Sequence, residues 1–165
     1  VVTLSPERIE QLRQSGIRLD REGRLWHEGQ EVTHRRFQTA LRRWLDRLPD
    51  GRSILRLDET RYAYVEVEDS HLLVTSVTWD NDRAMLLLND GTSEELAYET
   101  LEQSEDSAMY CTVRQGRLLA RFLTKAYYQL AERIEPATDA ADEETFSLLA
   151  RGERYEIGRR PSSEG

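Results

Sequence analysis

The order of residues predicts an α+β fold: two repeated β-hairpin/helix motifs packed with a central antiparallel β-meander and a C-terminal hairpin. Three observations carry that expectation. Arg21-Glu22-Gly23-Arg24-Leu25 and Arg114-Gln115-Gly116-Arg117-Leu118 share one pattern, and each leads through Thr33 or Thr124 into an amphipathic helix, as a duplicated scaffold would. Two apolar stripes follow the 3.6-residue period of a helix. Between them, short apolar or alternating runs are separated by Asp-Asn-Asp and Asn-Asp-Gly clusters that favour turns.

Taken in order, Ser5-Pro6 opens a first helix, because a serine hydroxyl accepts from unpaired amides and proline suits the first turn, and Gly16 is its expected stop. Residues 17–19 and 24–27 read as a hairpin around Arg21-Glu22-Gly23. A long helix is expected from Thr33 to Leu48, with Phe37, Ala40, Leu41, Trp44, Leu45 and Leu48 on one face, closed by Pro49-Asp50-Gly51. Strands are expected over 54–57, 62–68, 72–79, 84–88 and 93–97, with Asp-Gly at 90–91 suited to positive φ. The second copy comprises strands over 109–113 and 117–123, then a helix from Thr124 to Glu135 with Leu123, Ala126, Tyr127, Leu130, Ala131 and Ile134 as its stripe. Residues 137–144 read as an acidic linker or short helix, and 145–150 with 153–157 as a final hairpin. The chain so divides into an N-terminal helix (1–16), a first strand/helix repeat with the meander (17–90), a second repeat with the C-terminal hairpin (91–158) and a disordered tail (159–165).

Composition excludes several classes of function. With 165 residues, 38% hydrophobic and 33% charged, the chain is long enough for a real core. No apolar run approaches the roughly 20 residues a bilayer span requires, so no membrane crossing is expected. Pro6, Glu7, Arg8, Glu10 and Arg13 interrupt any leader-like stretch, and the single cysteine, Cys111, forms no intrachain disulfide. A reducing, cytoplasmic setting is the expectation. The net charge of −8 opposes nucleic-acid binding, which needs a basic surface.

Several segments, in their order, resemble one family. Gly23-Arg24-Leu25-Trp26-His27-Glu28-Gly29, Val65-Glu66-Val67-Glu68-Asp69, Tyr110-Cys111-Thr112-Val113 and Ala120-Arg121-Phe122 through Ala126-Tyr127-Tyr128-Gln129-Leu130-Ala131 resemble the bacterial family called domain of unknown function 1285, over residues 17–158. The sequence departs from that pattern at Ser70-His71-Leu72, where a Pro-Phe pair is expected, and at Thr124, where the family often has arginine. The resemblance implies an α+β fold of repeated motifs and a role in signal transduction. It implies no activity, cofactor or catalytic residue, and function has to be argued from a site.

The most unusual local chemistry is the polar side of the 33–48 segment, where Arg35, Arg36, Arg42, Arg43 and Arg47 outnumber Asp46. Arginines four apart repel, so acids of the fold, a homodimer contact or a phosphorylated or acidic ligand must neutralise them. Trp26-His27-Glu28-Gly29 can shape a small pocket with an imidazole that titrates near neutrality, or simply pack and hydrogen-bond locally. Arg121 and Lys125 flank a helix N-terminus suited to a carboxylate or phosphate; the plainer reading has Thr124 capping that helix and Arg121 paired with an acid. Glu66, Glu68, Asp69 and His71 fit solvated strand carboxylates better than a metal site, and His27, His34 and His71 fit no dense ligand motif.

The expectation is a non-enzymatic binding or regulatory module, without cofactor or metal, that meets a protein or small anionic ligand through Trp26, His27, Arg36, Arg43 and Arg121 or through a groove between the repeats. The alternatives are a small hydrolase-like enzyme centred on His27, Glu68 and Asp69, and a structural homodimer.

Overall fold

Ser5 and Pro6 start the first helix in the computed structural model, which describes residues 4–136 and 145–161. The chain divides into two units, 1–71 and 72–165, each described by itself.

In the first unit, α1 (Pro6–Leu12) is capped by Ser5, whose Oγ accepts from the Arg8 amide at 3.3 Å. The helix ends at Leu12, and Gly16, the expected stop, lies instead inside strand β1 (Gln14–Leu19) at φ +69°, where the ladder to its neighbour shifts register. A bulge of this kind favours glycine. Strands β2 (Leu25–His27) and β3 (Gln30–Glu31) follow, then α2 (Arg35–Trp44), β4 (Leu45–Arg47), β5 (Ser53–Arg56) and β6 (Tyr62–Val67). They form one sheet in the order β3-β2-β1-β6-β5-β4, antiparallel except for β1 beside β6.

The helix expected over 33–48 is shorter at both ends. His34 is its N-cap, with Nδ1 accepting from the Phe37 amide, and at Leu45 the backbone turns extended and pairs with Leu55. Leu45 is buried as a strand residue, as the helical stripe also requires, so the apolar period carries no mark of the switch from helix to strand.

The second unit contains β7 (Leu72–Asp80), β8 (Arg83–Leu88), β9 (Ser93–Glu95), a 3-10 turn (Tyr98–Thr100), β10 (Glu102–Ser104), β11 (Met109–Val113), β12 (Leu118–Phe122), α3 (Thr124–Ala131), β13 (Ile134–Pro136), β14 (Phe146–Ala150), β15 (Glu153–Glu156) and β16 (Gly158–Arg160). Seven strands form a sheet in the order β16-β10-β11-β12-β7-β8-β9, and β13-β14-β15 form a second. The pairs β12/β7 and β10/β16 are parallel.

The architecture is α+β. Its antiparallel strands 53–67 and 72–95 belong to two different sheets. The helix expected to reach Glu135 ends at Ala131, because Ile134–Pro136 pairs with β14. Arg159 and Arg160, expected in a disordered tail, pair in parallel with β10; residues 162–165 of that tail and the 137–144 linker lie outside the described residues. A hairpin followed by a helix and a three-stranded antiparallel ladder occurs in each unit: β1-β2, α2 and β4-β5-β6, then β11-β12, α3 and β13-β14-β15.

The matching pentapeptides make different turns. Leu19 faces Leu25 across five residues, whereas Val113 faces Leu118 across four. In the first turn Gly23 alone has positive φ; in the second Arg114, Gln115 and Gly116 all do. Buried Asp90 and half-buried Glu94 hold the strained second turn: the Arg114 guanidinium bonds Asp90, and its amide donates to Glu94 at 3.0 Å.

Candidate functional site

Trp26 and His27 are neighbours on β2 and so point to opposite faces of the sheet. The Trp26 indole N–H donates to Asp20 Oδ2 at 2.9 Å, and its ring lies under the guanidinium groups of Arg18 and Arg24. Asp20 also accepts from the Arg24 amide at 2.8 Å and from Arg24 Nε at 2.9 Å. Burial raises the Asp20 pKa, but the bonds from Trp26 and Arg24 outweigh it and hold the carboxyl below its ordinary value. Trp26 therefore acts as a brace for the Asp20 turn. No spacing rule flags Asp20; an aspartate just before a glycine turn is the one signal that could have found it.

His27 is exposed, and its imidazole makes no hydrogen bond or ion pair among the described residues. Glu68, its supposed catalytic partner, is engaged elsewhere: Arg18 reaches it at 2.5 Å and the Arg21 amide at 3.2 Å. Along β1, His27 pairs beside Ile17 while the Glu68 amide bonds the carbonyl of Leu19, so the two stand on opposite sides of that strand. The buried histidine is His71, whose Nε2 is 2.9 Å from Ser53 Oγ.

The arginines of α2 separate by direction. Arg42 turns inward, and its guanidinium donates to the Gly23 carbonyl at 3.0 Å, tying helix to turn. Arg36 and Arg43 are exposed, and Arg36 makes no ion pair among the described residues. Arg121 belongs to the second unit, half-buried on β12 opposite Tyr110. The expected Thr124 cap is absent: Leu123 takes that position without a side-chain bond, because Thr124 is already helical. Cys111 is fully buried, and desolvation pushes its thiol up to about 12, which leaves it inert. Among the described residues, no group of three or more His, Cys, Asp or Glu could hold a metal ion, and no helix is long and apolar enough to cross a membrane.

The first unit also carries an apolar groove. Open and of about 490 Å³, it runs between α1 and α2 over β1, β5 and β6. Its lining includes six large apolar side chains that remain well exposed: Leu4 (45%), Ile9 (37%), Leu12 (60%), Phe37 (44%), Trp44 (38%) and Leu57 (55%). Clustered exposure of this kind marks binding surfaces. One wall, α1, buries none of its own residues, so polar contacts hold it. Tyr64 donates to Glu10 Oε2 at 2.7 Å and accepts from Arg52 at 2.8 Å, and Arg13 lies 3.9 Å over the Tyr62 ring. Hydrogen bonding to Glu10 raises the Tyr64 pKa. On the opposite wall only Leu41 of α2 is buried. The apolar period placed Phe37 and Trp44 on one face of the helix without saying what covers that face.

Charge is divided unevenly. Residues 1–71 hold thirteen arginines and thirteen acids, whereas residues 72–165 hold ten basic residues and eighteen acids. The whole net charge of −8 thus resides in the second unit.

The chain is an α+β protein whose first unit carries an open apolar groove. In fold it is DUF1285-like. A DUF1285 family protein from Silicibacter pomeroyi aligns with a TM-score of 0.69 and 17% identity, over 88% of this chain and 80% of its own. A second, from Shewanella baltica, aligns with a TM-score of 0.60 and 16% identity, over 72% of this chain and 91% of its own. At these identities the likeness is one of architecture. No protein-family model and no curated protein matches the sequence.

Proposed function

We propose that this protein is a non-catalytic binding or regulatory module whose docking surface is the groove of the first unit, with Arg36 and Arg43 exposed elsewhere on α2, the helix that forms one wall. One observation carries the reading: six large apolar side chains stay exposed around a single cleft. Burying such a side chain from full exposure is worth about 1.5–3 kcal/mol; these six are 37–60% exposed, so covering each gains roughly half of that and covering the cleft is favourable. Trp26 and His27 lie outside its role: Trp26 braces the Asp20 turn.

The test uses the environment-sensitive dye 1-anilinonaphthalene-8-sulfonate. The native protein is expected to bind one equivalent with a blue-shifted emission, and Leu57→Asp or Leu12→Asp is expected to abolish it while circular dichroism stays unchanged. Unaltered dye binding in both variants overturns the assignment.

A further inference from the structure

We infer that α1 is a detachable arm, which pivots on Arg13 and forms a wall of the groove only while Tyr64 and Arg52 hold Glu10. What the arm gates rests on the docking surface proposed above. Three observations carry the inference. The helix covers nothing, since every residue from Leu4 to Leu12 is exposed. Its seven residues are too few to persist alone, because isolated helices shorter than about 12–15 residues are marginal in water. Among the described residues, moreover, Glu10 is the one member of this segment whose side chain bonds another element: the Tyr64 hydroxyl donates to it at 2.7 Å, and Arg52 lies 3.9 Å away. The remaining polar bonds are local, Ser5 with Arg8, Arg8 with Gln11 and Arg13 with Glu10.

Past Leu12 the attachment changes. The Arg13 carbonyl accepts from the Tyr64 amide at 2.8 Å, its guanidinium lies over the Tyr62 ring, and the Ser15 hydroxyl donates to the Tyr64 carbonyl. These bonds tie β1 to β6 and do not need α1, so the chain passes from arm to sheet at residue 13. On release the groove loses Leu4, Ile9 and Leu12 from its lining and keeps Phe37, Leu41, Trp44 and Leu57. A ligand that touches both walls then meets only the closed fraction of molecules, and its apparent affinity falls by that fraction. Strengthening or cutting the hold on Glu10 tunes binding without altering any group the ligand touches.

Native-state hydrogen exchange, followed by NMR on the full chain, reads the arm directly. The amides of Ile9 to Leu12 are expected to exchange at least about a hundredfold faster than the Tyr64 amide, which stays bonded to Arg13. Tyr64→Phe removes the donor to Glu10 and keeps the ring; it is expected to speed the arm's amides about fivefold and leave the amide of residue 64 unchanged. Glu10→Ala is expected to act in the same direction, although alanine is the better helix former. Equal protection of the arm and the Tyr64 amide overturns the inference, and so does the absence of acceleration in both variants. Acceleration shared by the amide of residue 64 also overturns it, because α1 then opens only with its whole unit. Saturating 1-anilinonaphthalene-8-sulfonate is expected to slow the arm's amides, since a ligand on Ile9 and Leu12 holds the closed state; bound dye that leaves them unchanged refutes the gating. A protected arm with bound dye refutes the arm and keeps the docking surface, whereas a fast arm without bound dye keeps the arm and refutes the surface.

Discussion

The two long helices carry the same apolar period and meet opposite fates. In α3, Ala126 and Leu130 are completely buried, and Gln129 accepts from the Val77 amide at 2.8 Å while its carbonyl accepts from the Trp79 indole at 2.9 Å. Strand β7, nine residues long, covers that helix. In α2 the stripe includes one buried residue, Leu41, and Phe37 and Trp44 border an open cleft. An apolar stripe therefore states that a face wants cover; whether the cover belongs to the same chain is settled by tertiary structure.

Substitutions sharpen this contrast, the largest effect first. Leu130→Ala is expected to lower unfolding free energy by about 2–5 kcal/mol in urea titrations, through a buried cavity. Phe37→Ala, with part of its ring already in water, is expected to cost under about 1 kcal/mol. Comparable losses at the two positions would erase the distinction between a covered helix and an uncovered one.

The turns offer the next comparison. Asp20→Asn and Asp90→Asn each remove a buried carboxylate that holds its turn, and each is expected to cost about 1–3 kcal/mol. Burial raises both pKa values, but hydrogen bonds from Trp26 and Arg24, and from Thr92 and Arg114, bring them below the ordinary 3.8. A carboxyl whose native pKa is depressed contributes fully above the unfolded value, and that contribution disappears as pH falls through the native one. Either asparagine variant should therefore flatten the acid limb of the stability profile below pH 3.8.

The smallest effect is expected at the groove rim. Arg61 bonds Asp58 at 2.6 Å and, with the amides of Arg61 and Thr60, holds that carboxyl down at about 2. Both side chains are largely exposed, where such pairs add little. Arg61→Ala should leave the urea midpoint unchanged while an NMR titration shows the Asp58 pKa rising.

Much of the scaffold was legible in the residues. Ser5-Pro6, the alternation through Val65 and Val67, and the Asp-Gly turn at 90–91 are local signals, and local structure follows them. The parallel ladders β1/β6 and β7/β12 were not legible, because pairing across dozens of residues leaves no periodic trace. Arg36 and Arg43 were singled out for their charge and lie exposed on α2, whereas His27 and Glu68 were grouped by residue type and stand on opposite sides of β1. Leu57 and Leu4 were not singled out, because nothing local separates a leucine awaiting a partner from one already enclosed.

The five-residue and four-residue turns bear on any comparison of the two units. Laid letter against letter, the pentapeptides set Leu19 beside Thr112, yet in the sheets its counterpart is Val113, the residue that faces Leu118. Since side chains alternate faces along a strand, an ungapped superposition sends every upstream position to the wrong side of the ribbon. A one-residue insertion inside the loop restores agreement between inward and outward positions.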